Sequence, residues 1–253
     1  MNKIYSSYIN YKELDNTPTL YINNIPKIVH RTLLFDYNFP IELQYLFILF
    51  NYNSTGYKTV LWREKDLLEI LNSTEKIIYL SYKHRIQKTD FARYMILKKY
   101  GGIYADFDIE LKVHLDKILL SSNKGFICIE EKMLTDKKYN ESKTYKIRQT
   151  LPLIERGEHK LRIANYFFAC SKNNIIWNNI IVLCVKRAKY KIYESYDVLF
   201  TTGPDVITTC IHNILDSNYM NIEIIRKKII DNMITHVQHN KYHKTNNYWK
   251  KLL

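Results

Sequence analysis

TDFARYMILKKYGGIYADFDIE, residues Thr89 to Glu110, brings three local signals together. Thr89 reads as the N-cap of a helix running to Tyr100, because its hydroxyl can accept a first-turn amide hydrogen. Phe91, Tyr94, Met95 and Leu97 supply the apolar face of that helix. Asp90 and Arg93, three apart, share a face of the first turn near the positive end of the helix dipole. Gly101 suits the left-handed position that ends a helix, Gly102 extends the turn, and Ile103-Tyr104-Ala105 begins a strand. That strand delivers Asp106-Phe107-Asp108. Side chains alternate along an extended segment, so the two carboxylates are expected on one side and Phe107 on the other. Adjacent carboxylates repel one another, a cation beside them relieves the repulsion, and hard oxygen ligands suit Mg²⁺ or Mn²⁺. Asp106 and Asp108 are therefore a candidate metal site.

Upstream, Ile25 to His30 (IPKIVH) reads as a buried strand ending at His30 and Arg31. IELQYLFILFNYN, after Pro40, is apolar nearly all round and suits a buried helix. Tyr57 to Trp62 reads as a second strand, Arg63 to Leu71 as a helix, and Thr74 to Tyr82 as another. Downstream, a helix over Leu115 to Leu120 and a core strand over Gly125 to Glu130 are expected. Glu131 to His159 is charged and weakly periodic, which suits a long excursion or lid. A strand over Asn165 to Cys170 and a helix over Ile175 to Tyr190 follow. The turn Thr201-Thr202-Gly203-Pro204 precedes a helix over Val206 to Leu215, whose first-turn amides could receive an anion. Ile222 to Ile230 reads as a strand, and the tail carries His236, His239, His243 and Trp249. Residues 1–24 lack periodicity and read as an N-terminal arm or short helix, leaving 25–253 as one domain. Alternating strands and helices indicate an α/β layered fold, whose ligands bind beyond the carboxyl ends of the strands. His30, Trp62 and Asp106 all fall near such ends.

The 253 residues suffice for a full core, and 46% hydrophobic with 25% charged residues excludes disorder. A net charge of +13, from 38 Lys and Arg against 25 Asp and Glu, favours anionic partners: phosphosugars, nucleic acid or an anionic membrane surface. The abundance of Lys, Asn, Ile and Tyr also fits an A- and T-rich genome. Cys128, Cys170, Cys184 and Cys210 form no CxxC pair and read as reduced core thiols, consistent with a cytoplasmic compartment. No apolar run is long enough for a transmembrane helix, so a soluble protein is expected, with peripheral contact to an anionic membrane possible.

Asp90-x-x-Arg93-Tyr94 and GGIYADFD, together with IPKIVH, Trp62, Asn165 and the TGP at Thr202 to Pro204, lie in one order along the chain. This series resembles the DXD sugar-binding region of the family 32 glycosyltransferases. The resemblance implies a GT-A-type fold with a central mixed sheet flanked by helices. It also implies a UDP- or GDP-linked sugar donor, a divalent cation (Mn²⁺ or Mg²⁺), and hexosyl transfer with retention to a glycan, lipid-linked or protein hydroxyl. Asp106 and Asp108 match the motif that holds the metal and reaches the donor's ribose and diphosphate. Asp90 and Arg93 match a pair that contacts the donor sugar. His243 and Trp249 resemble a C-terminal His and Ser-Trp pair that closes over the diphosphate and metal, although Tyr248 stands where Ser is expected. Arg31-Thr32-Leu33 replaces the more frequent Gln-Ile-Trp.

Most of these residues also admit a purely structural reading. Asp90 and Arg93 could be a helix salt bridge, Trp62 a core aromatic instead of a base-stacking ring, and His30 a core histidine. Asn165 and Gly203 could support the donor or simply shape a strand entry and a turn. Two other functions compete: a basic nucleic-acid-binding module or inactive relative, and a DxD phosphohydrolase with an aspartyl nucleophile. The basic residues are dispersed and match no nucleic-acid motif. For the hydrolase, only Ile103 to Ala105 lead into the motif, and Glu110 stands where Thr or Val is usual.

Overall fold

A computed structural model describes residues 8–16, 19–34, 41–143, 149, 159–192, 195–216 and 221–237. In chain order, a 3₁₀ turn at Tyr11–Glu13 precedes β1 (Tyr21–Ile22), β2 (Ile25–Pro26), β3 (Ile28–Thr32), α1 (Ile41–Asn53) and β4 (Lys58–Trp62). Helices α2 (Glu64–Ile70), α3 (Ser73–Ser81) and α4 (Arg85–Tyr100) lead into β5 (Gly102–Ala105) and β6 (Ile109–Leu111). Then come α5 (Leu115–Leu120), β7 (Phe126–Met133), α6 (Asp136–Lys143), β8 (Leu161–Ile163), β9 (Phe167–Cys170) and α7 (Ile176–Ala188). The last described elements are α8 (Ser195–Thr202), α9 (Pro204–Asp216), β10 (Ile222–Ile225), α10 (Lys227–Ile230) and β11 (Ile234–His236).

The main sheet runs β10-β7-β9-β5-β3-β4, with β8 paired to β7. Pairs β3/β4, β3/β5 and β7/β10 are parallel, whereas β9 is antiparallel to both β5 and β7. This is the expected α/β architecture with a mixed sheet. Its strands are apolar on both faces because both faces are covered. Phe126, Cys128, Phe168 and Cys170 point into one core with Tyr94 of α4 and Trp177 of α7. Their alternate neighbours Ile127, Ile129, Phe167 and Ala169 point into a second core with Phe50 of α1 and Leu115 of α5. Period-two alternation thus feeds two cores from one sheet.

Several boundaries differ from the sequence reading. Helix α4 begins at Arg85, not Thr89, and the Thr89 hydroxyl donates back to the Arg85 carbonyl (3.0 Å) from inside the helix. Asp90 and Arg93 therefore sit in the second and third turns, away from the helix's positive end. β7 extends to Met133 and α6 occupies part of the expected excursion, while 144–148 and 150–158 lie outside the described residues. The Ile222 strand stops at Ile225, and Lys227 starts a short helix as its amide donates to Glu130 Oε2 (3.2 Å). Tyr11 and Leu14 of the N-terminal stretch enter the core, Tyr11 with its ring 5.1 Å from that of Trp62. Among the described residues no helix is long and apolar enough to cross a membrane. All four cysteines are buried and unbridged.

Candidate active site

β5 ends at Ala105, and Asp106-Phe107-Asp108 forms a turn closed by the Ile109 amide on the Asp106 carbonyl (3.2 Å). The carboxylates are thus presented from a turn, not from an extended strand, and each meets a different partner. Asp106 Oδ1 accepts the Tyr104 hydroxyl at 2.7 Å and faces Arg93 Nη1 at 3.2 Å. Tyr104's single proton is committed there, so Thr32, whose hydroxyl lies 2.9 Å from the Tyr104 oxygen, is the donor between them. Asp108 Oδ2 lies 3.2 Å from Nε2 of His236 on β11. Strand β11 reaches it by pairing with β6, His236 opposite Ile109, and the imidazole stacks on Tyr166 at 4.2 Å.

Arg93 links the turn to the interior. Its guanidinium spans Asp90 (3.0 Å) and Asp106, and also donates to the Asn165 carbonyl. Asp90 further accepts from the Asn165 side-chain amide (2.9 Å) and the Thr202 hydroxyl (3.2 Å). Both members of the Asp90–Arg93 pair are sealed from solvent, at 1% and 2% side-chain exposure, whereas Asp106 and Asp108 keep 29% and 28%. In this arrangement the polar atoms of Asp90 and Arg93 face each other, Asp106, Asn165 and Thr202. They back the exposed carboxylates.

The electrostatics follow from burial. Burial pushes the Asp90 carboxyl up to about 6 against the opposing pull of Arg93. Asp106 is likewise raised, by burial and by the charge of Asp108, with Arg93 opposing. Burial works against protonated Arg93, but Asp106, Tyr104 and Asp90 outweigh it and hold its pKa above the ordinary value. Burial also opposes the His236 imidazolium, yet the hydrogen bond and charge of Asp108, with Asp106 and Glu131, raise its pKa.

Three expected ligand-binding residues are placed elsewhere. Trp62 and His30 are fully buried: the indole N–H donates to His30 Nδ1 (3.1 Å), and His30 Nε2–H donates to the Gly101 carbonyl (2.9 Å). That fixes one neutral tautomer, and burial lowers the His30 pKa to about 4. Neither ring is open to a nucleotide base. They tie β3, β4 and the end of α4 together. Gly203 is also buried; its amide donates to the Leu199 carbonyl (2.8 Å), so it closes α8 and is not turned towards an anion. The turn instead contributes Thr202, whose hydroxyl meets Asp90 and whose carbonyl accepts from Tyr94 (2.6 Å).

His243 and Trp249 lie outside the described residues. Among the described residues, the imidazole that reaches the acidic turn is His236, which the tail's cluster of histidines contained without marking it out. A signal existed in ITH at 234–236, a short alternating segment able to pair with Ile109-Glu110-Leu111.

Among the described residues no three His, Cys, Asp or Glu side chains are grouped to hold a metal ion. The chemistry of Asp106 and Asp108 nonetheless fits a hard divalent cation. They are two half-exposed carboxylates, one with a raised pKa, and suit an ion whose remaining ligands come from phosphate oxygens and water.

Residues 40–124 match the family model described as a glycosyltransferase sugar-binding region containing a DXD motif. Inositol phosphoceramide mannosyltransferase 1 of Schizosaccharomyces pombe is 36% identical over 70 residues, 26% of this chain and 22% of that protein. An uncharacterized glycosyltransferase of Acanthamoeba polyphaga mimivirus is 35% identical over 103 residues, 38% of this chain and 40% of the relative. The chain thus aligns with less than half the length of these curated relatives. Among solved structures, the PaToxG glycosyltransferase superposes with a TM-score of 0.50 at 18% identity, covering 76% of this chain and 70% of that one. The fold is of the GT-A type.

Proposed function

From the premise that this chain carries a glycosyltransferase sugar-binding region with its DXD motif, we propose that it transfers a hexose from a UDP- or GDP-linked donor to a hydroxyl acceptor, with retention and with Mn²⁺ or Mg²⁺. The observation that supports this reading most is the acidic turn at the end of β5, half exposed in front and braced behind by Arg93 and Asp90.

Asp106 and Asp108 would hold the cation, which when bound offsets the charge that grows on a nucleoside diphosphate as the glycosidic bond breaks. Arg93 positions Asp106, Asp90 fixes Arg93, and Asn165 and Thr202 fix Asp90, so the carboxylates need little reorganisation. Tyr104 and Arg93 orient the Asp106 carboxylate and leave it further lone pairs for a cation. Retention would have the acceptor hydroxyl attack on the face the diphosphate leaves, with a diphosphate oxygen taking its proton. His243 and Trp249 rest on the resemblance alone as residues that close over the donor.

The test is a donor panel with Mn²⁺, scored for hydrolysis and transfer, with product anomers read by NMR. The relative's name, a mannosyltransferase, puts a mannosyl donor first. Asp108→Asn is expected to lower turnover and metal-dependent nucleotide binding by about 100-fold or more. Its stability should fall by no more than about 1 kcal/mol, the loss expected for one partly exposed pair with His236. No turnover with any donor, together with unchanged nucleotide binding in Asp108→Asn, would sink the proposal.

A further inference from the structure

Beside the acidic turn, a cavity of about 550 Å³ opens between the carboxyl ends of parallel β7 and β10 and the β6/β11 pair. Its inner wall is Tyr166 with the stacked His236 that holds Asp108. Three elements each send one lysine to its lining: Lys112 just after β6, Lys132 near the end of β7 and Lys227 at the start of α10. Against these three cations stand two carboxylates, Glu131 and Asp231. Asp231 neutralises Lys227 at 2.9 Å, Glu131 lies 3.9 Å from the Lys132 ammonium, and Lys112 Nζ rests on the Asp231 backbone carbonyl (2.6 Å).

We infer that this cavity is a subsite for an anionic group of the phosphate-ester class on the acceptor, gripped by Lys112, Lys132 and Lys227. Four features support this. The lining is net positive, and flexible ammonium groups suit phosphate as point charges. The cavity lies at the strand ends, where ligands of open α/β sheets bind. It borders Asp108 through His236, so a hydroxyl on the same molecule can approach the acidic turn. Finally, the Lys132 and Lys227 side chains keep 58% and 50% exposure, whereas Arg93 behind the turn is sealed and shared between two carboxylates. Only the word "acceptor" rests on the glycosyltransferase reading; the anion site stands on the cavity itself.

The full chain, titrated calorimetrically with glycerol 3-phosphate and with glycerol, is expected to bind only the charged compound, more weakly as salt rises. The triple variant Lys112→Ala, Lys132→Ala, Lys227→Ala should bind it at least about tenfold more weakly. The corresponding triple Lys→Arg variant, with an unchanged melting temperature, should retain binding. Vesicles of phosphatidylcholine with and without phosphatidylinositol separate the two sources: lysine-dependent recruitment to the anionic vesicles assigns a lipid headgroup, and binding of the soluble ester alone assigns a free phosphate ester. Equal binding of glycerol, no binding of the ester, or undiminished binding in the alanine variant overturns the inference. Displacement of the ester by UDP with Mn²⁺ overturns it too, by making the cavity part of the donor site. Binding of UDP with Mn²⁺ to the protein alone tests the glycosyltransferase reading separately.

Discussion

Arg93 holds one positive charge between two carboxylates, Asp90 at 3.0 Å and Asp106 at 3.2 Å, with 2% of its side chain exposed. Removing it strands Asp90 in the core. Arg93→Met is therefore expected to cost about 3–5 kcal/mol in urea denaturation, as breaking a buried pair does. Arg93→Lys keeps the charge but cannot span both carboxylates, so it should be intermediate. His236 gives a pH-dependent counterpart. Its folded pKa lies above the ordinary value of about 6.5, so its stabilising contribution is full below that value and fades as pH rises through the folded pKa. NMR titration should show a raised His236 pKa that falls in Asp108→Asn and on addition of diamagnetic Mg²⁺. An unshifted His236 in the parent would contradict the pairing. At this scale the sequence displayed the residues Asp90, Arg93, Asp106 and Asp108 by their spacing. It could not display that Arg93 turns inwards, because exposure depends on what α4 packs against.

The element that sets the site is the joint between α4 and β5. Gly101 and Gly102 both have positive φ, +64° and +89°. A Cβ on Gly102 would stand 2.6 Å from the Ile28 carbonyl and 3.3 Å from His30 Nε2, so this turn must press against β3. Gly102→Ala is expected to destabilise the protein by more than the roughly 1 kcal/mol of a simple glycine conformational effect, since backbone must move as well. Because β5 leads directly into Asp106, nucleotide binding should weaken in parallel; thermal melting and calorimetry check the two effects. The glycine pair was legible in the sequence as a helix end. The helix start was not, because Thr89 can serve as a cap or bond back to the preceding turn, and only the path of the chain over Arg85 to Lys88 selects between them.

Across the whole molecule, the sheet order places β5 between β9 and β3, so the acidic turn sits centrally among the strand ends, and the chain returns late to supply β11. Truncation after Asn232 would remove Ile234 from the second core and His236 from Asp108. The shortened chain is expected to melt several degrees lower and to lose metal-dependent nucleotide binding by about tenfold or more. Unchanged binding would separate β11 from the site. The net charge of +13 acts at this scale as well, through long-range attraction of anionic ligands, while the lysines of one cavity give it a local address.

The sequence by itself determined the layered α/β class, the helix–glycine–strand unit and the carboxylates at its end, because those depend on local periodicity, turn conformation and charge spacing. Tertiary structure alone decided which polar residues face solvent. It buried His30, Trp62 and Gly203, turned Asp90 and Arg93 into a brace, and brought His236 to Asp108 from 128 positions away. The reason is physical: spacing along a chain fixes the face of a helix or strand, but burial and long-range pairing depend on which other elements cover that face.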